Sequence, residues 1–213
     1  MRIVGIDLSG PSNVADTYLV MFSTSRKGLR LESELAGADD TAILQFFREQ
    51  EGGGGETAVG IDAPLSYKPG GGDRPGDSEL RKRLIACGMH PGSVMTPTMT
   101  RMAYLTLRGI ALARGLAAIA PKLRIVEVHP GATLALRDAP IKHVRQMSRS
   151  PASRRVLLQW LGKQGLRGLK RARRPSHYVA ACAAALAAWD WARGDSRWIK
   201  KAEPPLHPFD FGC

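Results

Sequence analysis

The chain has 213 residues, 44% of them apolar and 23% charged, which suits one sizeable core and excludes a disordered or low-complexity polypeptide. Its three cysteines, Cys87, Cys182 and Cys213, are widely spaced with no Cys-x-x-Cys pair, so a disulfide framework and a zinc ribbon are excluded and reduced thiols are expected. The net charge of +12 is lopsided: residues 1–140 hold 16 Lys and Arg against 15 Asp and Glu, whereas residues 141–213 hold 15 against 4.

Residues 2–8, RIVGIDL, alternate Ile3, Gly5 and Asp7 with Val4, Ile6 and Leu8, the pattern of a strand buried on both faces. Asp7 interrupts the only early apolar run, so no signal peptide is expected. The late run YVAACAAALAAW is too short and alanine-rich to span a bilayer, and a cytoplasmic protein with no membrane segment is expected. A Gly-Pro-Ser-Asn turn leads to DTYLVMFS and GLRLESEL, two further strands of an antiparallel meander. DDTAILQFFREQ has helical spacing, with Asp39 or Asp40 as its cap. EGGGGE is a flexible break, lacking both the lysine and the leading strand of a phosphate loop.

Val59-Gly60-Ile61-Asp62 then repeats Val4-Gly5-Ile6-Asp7 and, following a helix, suits a parallel crossover strand. SYKPGGGDRPGD is a glycine-rich loop, and DSELRKRLIACG a helix capped by Asp77 and stopped by Gly88. Residues 99–120 form a long helix, and LRIVEVHP is a strand on which Ile125, Glu127 and His129 share a face. Helices over 151–164 and 176–193 and an irregular tail over 194–213 complete the chain. The order β-β-β-α-β-α-α-β-α-α-α predicts a single α/β domain over residues 1–213 with a mixed five-stranded sheet.

Three of these strands carry one acid each inside an apolar run: Asp7, Asp62 and Glu127. A buried carboxylate costs several kcal/mol unless it is paired or binds a cation. Each alone is readable as a strand-end cap or an arginine partner; three on neighbouring parallel strands suggest convergence at one sheet edge. Clustered carboxylates repel one another, and hard oxygen ligands suit Mg²⁺ or Mn²⁺. The basic final third is densest at Lys170, Arg171, Arg173 and Arg174, and such a patch attracts polyanions, nucleic acid first, although many basic chains bind nothing specific.

The segments GIDLSG, VGIDAPL, DRPGDSELRKRL, SVMTPTMTRMAYLTLRGIALARGL and VEVHPGATL run in order from Gly5 to Leu134. In these the sequence resembles the domain of unknown function 429 family, whose members are predicted nucleases of ribonuclease H-like fold. The resemblance implies a meander of three strands with two parallel strands beside the first, flanked by helices. It places the acidic positions at Asp7, Asp62, Asp77 and Glu127, and implies a divalent-metal phosphodiesterase in which Asp7 bridges two ions that Asp62 and Glu127 complete. One departure stands out: where the closing helix of the family is expected to open on an acid, this chain has Ala180. His177, one turn earlier on the same face, can replace that ligand or be a plain first-turn residue beside a Ser176 cap. Without the acid, the alternative is a catalytically impaired nucleic-acid-binding protein of the same fold.

Supporting positions are less specific. Asp77 suits a helix cap as well as a catalytic acid. Arg74 and Arg81 flank it and can clamp a phosphate or pair with it. His129, beside Glu127, can orient that acid, move a proton or be structural.

Overall fold

The computed structural model describes residues 1–51, 55–170 and 174–213; most of the glycine run of EGGGGE lies outside them. Strands β1 (Arg2–Asp7), β2 (Tyr18–Ser25) and β3 (Gly28–Ala36) form the antiparallel meander. Helix α1 (Asp40–Glu51), capped by the Asp39 carboxylate that accepts from Ala42 N at 2.8 Å, precedes β4 (Thr57–Asp62). After α2 (Pro75–Ala86) and α3 (Thr100–Ile119) comes β5 (Leu123–Val128). The chain then forms α4 (Pro130–Ala135), α5 (Ile141–Arg145), α6 (Pro151–Lys163), β6 (Leu166–Arg167), α7 (Ser176–Arg193), β7 (Ile199–Lys200) and β8 (Asp210–Gly212).

The strands make one mixed sheet in the order β6-β3-β2-β1-β4-β5-β8-β7, eight strands where five were expected. The expected five are its centre, with β1, β4 and β5 parallel to one another. The additions are short. β6 pairs through two residues beside β3, and the tail, expected to be irregular, returns as β7 and β8 along β5. Helices α4 and α5, six and five residues long, were also not anticipated.

Each face of the sheet buries its own core. Ile3, Ala58, Val126 and Val128 pack beneath α7, while Val4, Ile6, Val59, Ile61 and Ile125 face the opposite side with residues of α1 and α3. Alanine dominates α7 because its backbone lies directly on the strands. A Cβ built on Gly5 would stand 2.0 Å from the Ala181 carbonyl oxygen, and one on Gly60 2.6 Å from that of Ala184. The two glycines of the repeated tetrapeptide are thus the floor on which α7 rests. A third cluster, including Leu80, Leu84, Val94, Trp198 and Phe211, ties α2 to the returning tail.

Helix α3 is long and apolar enough to cross a membrane by length and composition, yet Gly109, Leu112, Ala113 and Leu116 are buried, and Arg108 pairs with Asp40 at 2.7 Å.

Candidate active site

Parallel pairing sets Asp7, the last residue of β1, directly beside Asp62, the last of β4. Side-by-side residues on neighbouring strands project to one face, so both carboxyls point to the α7 side. Glu127 pairs with the level of Ile61 and belongs to the opposite face. All three acids nevertheless border one cleft of about 480 Å³ at the C-terminal edge of the strands, together with Arg74, His177 and Ala180.

The two aspartates stand level with each other at the ends of their strands. Asp62 is held well above the usual carboxylate range, first by burial, then by the negative charge of Asp7 and a hydrogen bond to it, with Glu127 adding to the effect. Neighbouring carboxyls of this kind favour a site that a cation can enter. Asp7 Oδ2 accepts a second hydrogen bond from His177 Nδ1, at 2.6 Å. That bond lifts His177 above its ordinary value against the opposing effect of burial, with the charges of Asp7 and Asp16 assisting; His177 Nε2 lies 3.8 Å from Asp16 Oδ1. The helix begins at a Pro175 cap, so His177 is its second residue, aimed down at the end of β1.

Glu127 is differently placed. Its Oε2 accepts from Leu65 N and from Arg74 Nη1, both at 2.8 Å, and its Oε1 accepts from Arg74 Nη2. Burial opposes the Arg74 charge, but Glu127 and Asp77 more than offset it, so the guanidinium stays firmly protonated. Arg74 also donates to Asp77 through Nε at 3.0 Å and Nη2 at 2.7 Å, and to Ser66. It is a buried fork between two carboxylates rather than a free phosphate clamp. Asp77 is not the helix cap expected. Arg74 holds that position, Pro75 follows, and Asp77 reaches back from the third helical residue to the Arg74 N–H at 2.8 Å.

The remaining expectations resolve similarly. Arg81 pairs with Asp73 and donates to the Val94 carbonyl, and this, with Thr96 and Ser78, holds Asp73 far below the carboxylate range. His129 caps α4: its Nδ1 accepts from Ala132 N at 3.0 Å and its Nε2 donates to the Ser93 carbonyl at 2.7 Å. Burial lowers its pKa, and both ring nitrogens are engaged in these backbone hydrogen bonds, none of them to Glu127. Lys170 and Arg174 both pair with Glu34, at 3.1 and 2.9 Å, while Arg171 and Arg173 lie outside the described residues.

Among the described residues, no group of three or more His, Cys, Asp and Glu side chains is arranged to hold a metal ion. What the cleft offers a cation is the Asp7–Asp62 pair. The cleft walls, unforeseen from sequence, carry Met89, Met95, Met102 and Met147, drawn from segments nearly sixty residues apart with no shared periodicity.

A family model described as "Protein of unknown function (DUF429)" matches residues 5–204. No curated protein and no solved structure matches the chain.

Proposed function

The chain belongs to the DUF429 family, and we propose that it is a divalent-metal-dependent hydrolase of nucleic-acid phosphodiesters with a ribonuclease H-like fold. The central strand order β3-β2-β1-β4-β5, antiparallel then parallel, supports that fold. The observation that carries the activity is the Asp7–Asp62 pair, two carboxyls in register at a sheet edge, where burial and the charge of Asp7 hold Asp62 well above the usual carboxylate range. A hard cation fits there, because Mg²⁺ typically uses one or two carboxylates and fills its remaining positions with water and substrate phosphate. Asp7 and Asp62 would hold the ion; Glu127, committed to Arg74, would not.

A Mg²⁺ or Mn²⁺ at this pair supplies Lewis-acid polarisation of a phosphoryl oxygen and a more acidic water. The chain's own groups do the rest. His177 Nδ1 fixes Asp7 Oδ2 and carries a proton at the cleft mouth, where its side chain is 38% exposed. The Arg74–Glu127–Asp77 cluster pins Leu65 N and so the loop that leaves Asp62. Incubation with single-stranded, duplex, hybrid and branched oligonucleotides in Mg²⁺ or Mn²⁺ tests the reading. Cleavage that disappears in Asp7→Asn and Asp62→Asn is expected; equal cleavage by those variants overturns it.

Ala180 favours a second reading. It lines the cleft near His177 where the family resemblance calls for an acid. A nucleic-acid-binding protein without catalysis would then show salt-sensitive binding that Asp7→Asn leaves unchanged.

A further inference from the structure

We infer that the cleft takes the terminal nucleoside of a strand, with one phosphate at Asp7 and Asp62 and the nucleoside against a wall of methionines. The inference rests on the hydrolase reading for the cation that brings the phosphate in. The number of phosphates and the nature of the wall are read from other residues that line the same cleft.

Charge sets the first limit. Four carboxyls border the cleft, those of Asp7, Asp62, Asp77 and Glu127, and Arg74 is the single Lys or Arg among its described lining residues. That guanidinium has five N–H groups, and each is spent inside the protein. Nε and Nη2 reach Asp77, Nη1 and Nη2 reach Glu127, and the other Nη1 hydrogen goes to Ser66. Both ring nitrogens of His129 are engaged, and His177 Nδ1 is held by Asp7. Lys170 and Arg174 are spent on Glu34 and line no part of the cleft. A phosphate therefore enters only with a cation, and the place for one is the Asp7–Asp62 pair. A second phosphate would meet carboxylates with nothing to neutralise it. An internal nucleoside carries a phosphate on both sides of its sugar, whereas a terminal one carries it on one side. The cleft fits the terminal one.

The walls indicate what accompanies the phosphate. Met89, Met95, Met102 and Met147 all line the cleft; Met95 is 40% exposed and the other three are half-buried. Apolar side chains left open to a cleft mark a place where an apolar group binds. At about 480 Å³ the space suits one small organic molecule and is too small for a length of duplex. Methionine is unbranched and polarisable and makes favourable contacts with aromatic rings, so such a wall accepts purine and pyrimidine alike. In the reaction water adds to the terminal phosphorus and the P–O bond to the neighbouring sugar breaks. That sugar oxygen takes a proton and leaves as a hydroxyl. The products are a mononucleotide and a strand one unit shorter.

Two measurements test this. Equilibrium dialysis in Mn²⁺ uses thymidine 5′-monophosphate, thymidine 3′-monophosphate and the 3′,5′-bisphosphate, none of them a diester. One monophosphate should bind tightest, with the bisphosphate about fivefold or more weaker. Met102→Gln and Met147→Gln should each weaken that monophosphate by about three- to tenfold, while Met102→Leu and Met147→Leu stay within about twofold. Inorganic phosphate should bind every variant alike, since it touches no methionine. In the second measurement linear oligothymidine in Mn²⁺ should yield mononucleotides while a covalently closed single-stranded circle stays whole. Nicking of the circle overturns the inference and leaves the hydrolase reading standing. A bisphosphate that binds as tightly as the better monophosphate also overturns it. So do glutamine variants that leave nucleotide binding unchanged, or that lose phosphate binding along with it. Methionine-dependent binding of the monophosphate without cleavage of any strand does the reverse, defeating the hydrolase reading alone.

Discussion

His177 Nδ1 donates to Asp7 Oδ2 at 2.6 Å, joining the first turn of α7 to the last residue of β1 across 170 positions of sequence. The bond places a titrating ring on one of the two carboxyls that the cleft offers a cation. Substituting His177 by Gln keeps a donor at lower charge and should reduce metal-dependent cleavage by roughly 10- to 100-fold, the usual effect of losing a group that orients a metal ligand. The companion measurement is the pH–rate profile, whose upper-neutral inflection should disappear in His177→Gln.

Acid–base linkage gives a second outcome with a definite sign. Asp62 keeps its proton longer in the native state than in the unfolded chain, whose value is near 3.8. As pH rises through the raised value, this group withdraws stability. A divalent ion competes with that proton, so the rise in Tm produced by Mn²⁺ should grow as pH rises above the ordinary aspartate value of 3.8 and through the raised one, and be lost in Asp62→Asn. The His177 pair also favours acid: its contribution is complete below the ordinary histidine value of 6.5 and fades as pH rises through the elevated one.

Arg74 should behave as a structural cation. Arg74→Ala leaves Glu127 and Asp77 buried without their partner and should cost about 3–5 kcal/mol in urea unfolding. Arg74→Lys keeps the charge but loses the fork, and should recover only part of that loss. Glu127→Gln should lower stability while preserving the Mn²⁺-induced rise in Tm. Loss of that rise would show that Glu127 is a ligand after all.

Glycine packing supplies a fourth prediction. Gly5→Ala drives a methyl into the Ala181 carbonyl and the Ala185 N–H of α7. It should cost about 1–3 kcal/mol or more by overpacking. Gly10→Ala meets nothing within 4 Å and should stay within about 0.5 kcal/mol of the parent. Thermal melts of the two variants side by side make the comparison.

The central fold was legible because its signals are local. Alternation over residues 2–8 and helical spacing over 100–119 mark out a strand and a helix that tertiary contacts have only to position. The outer strands were not, since β6, β7 and β8 have two or three residues each and take their definition from the neighbours they join. His129-Pro130 was a readable helix start in which histidine takes the capping place usual for Ser or Asp.

Within the site, the repeated tetrapeptide announced Asp7 and Asp62, because register turns equal spacing into adjacency. The partners of Glu127, Lys170 and Arg174 are invisible at that level. Arg74 stands 53 residues before Glu127, and Glu34 is 136 residues before Lys170, so no periodicity links them. A charge count finds cations without saying which are already neutralised.

The lockstep pairing of Val4-Gly5-Ile6-Asp7 with Val59-Gly60-Ile61-Asp62 has a consequence for how the chain avoids misassembly. The smallest slip that keeps every side chain on its own face is two residues. Such a slip sets Ala58 or Asp62 next to Gly5, and a side chain then stands where the α7 backbone must lie flat. Only one alignment leaves a smooth pair of glycines, so the alanine helix acts as a gauge that seats on correctly matched strands and is refused by the others. The same alignment brings the two acids level, so a molecule in which α7 has docked has by that fact assembled its cleft.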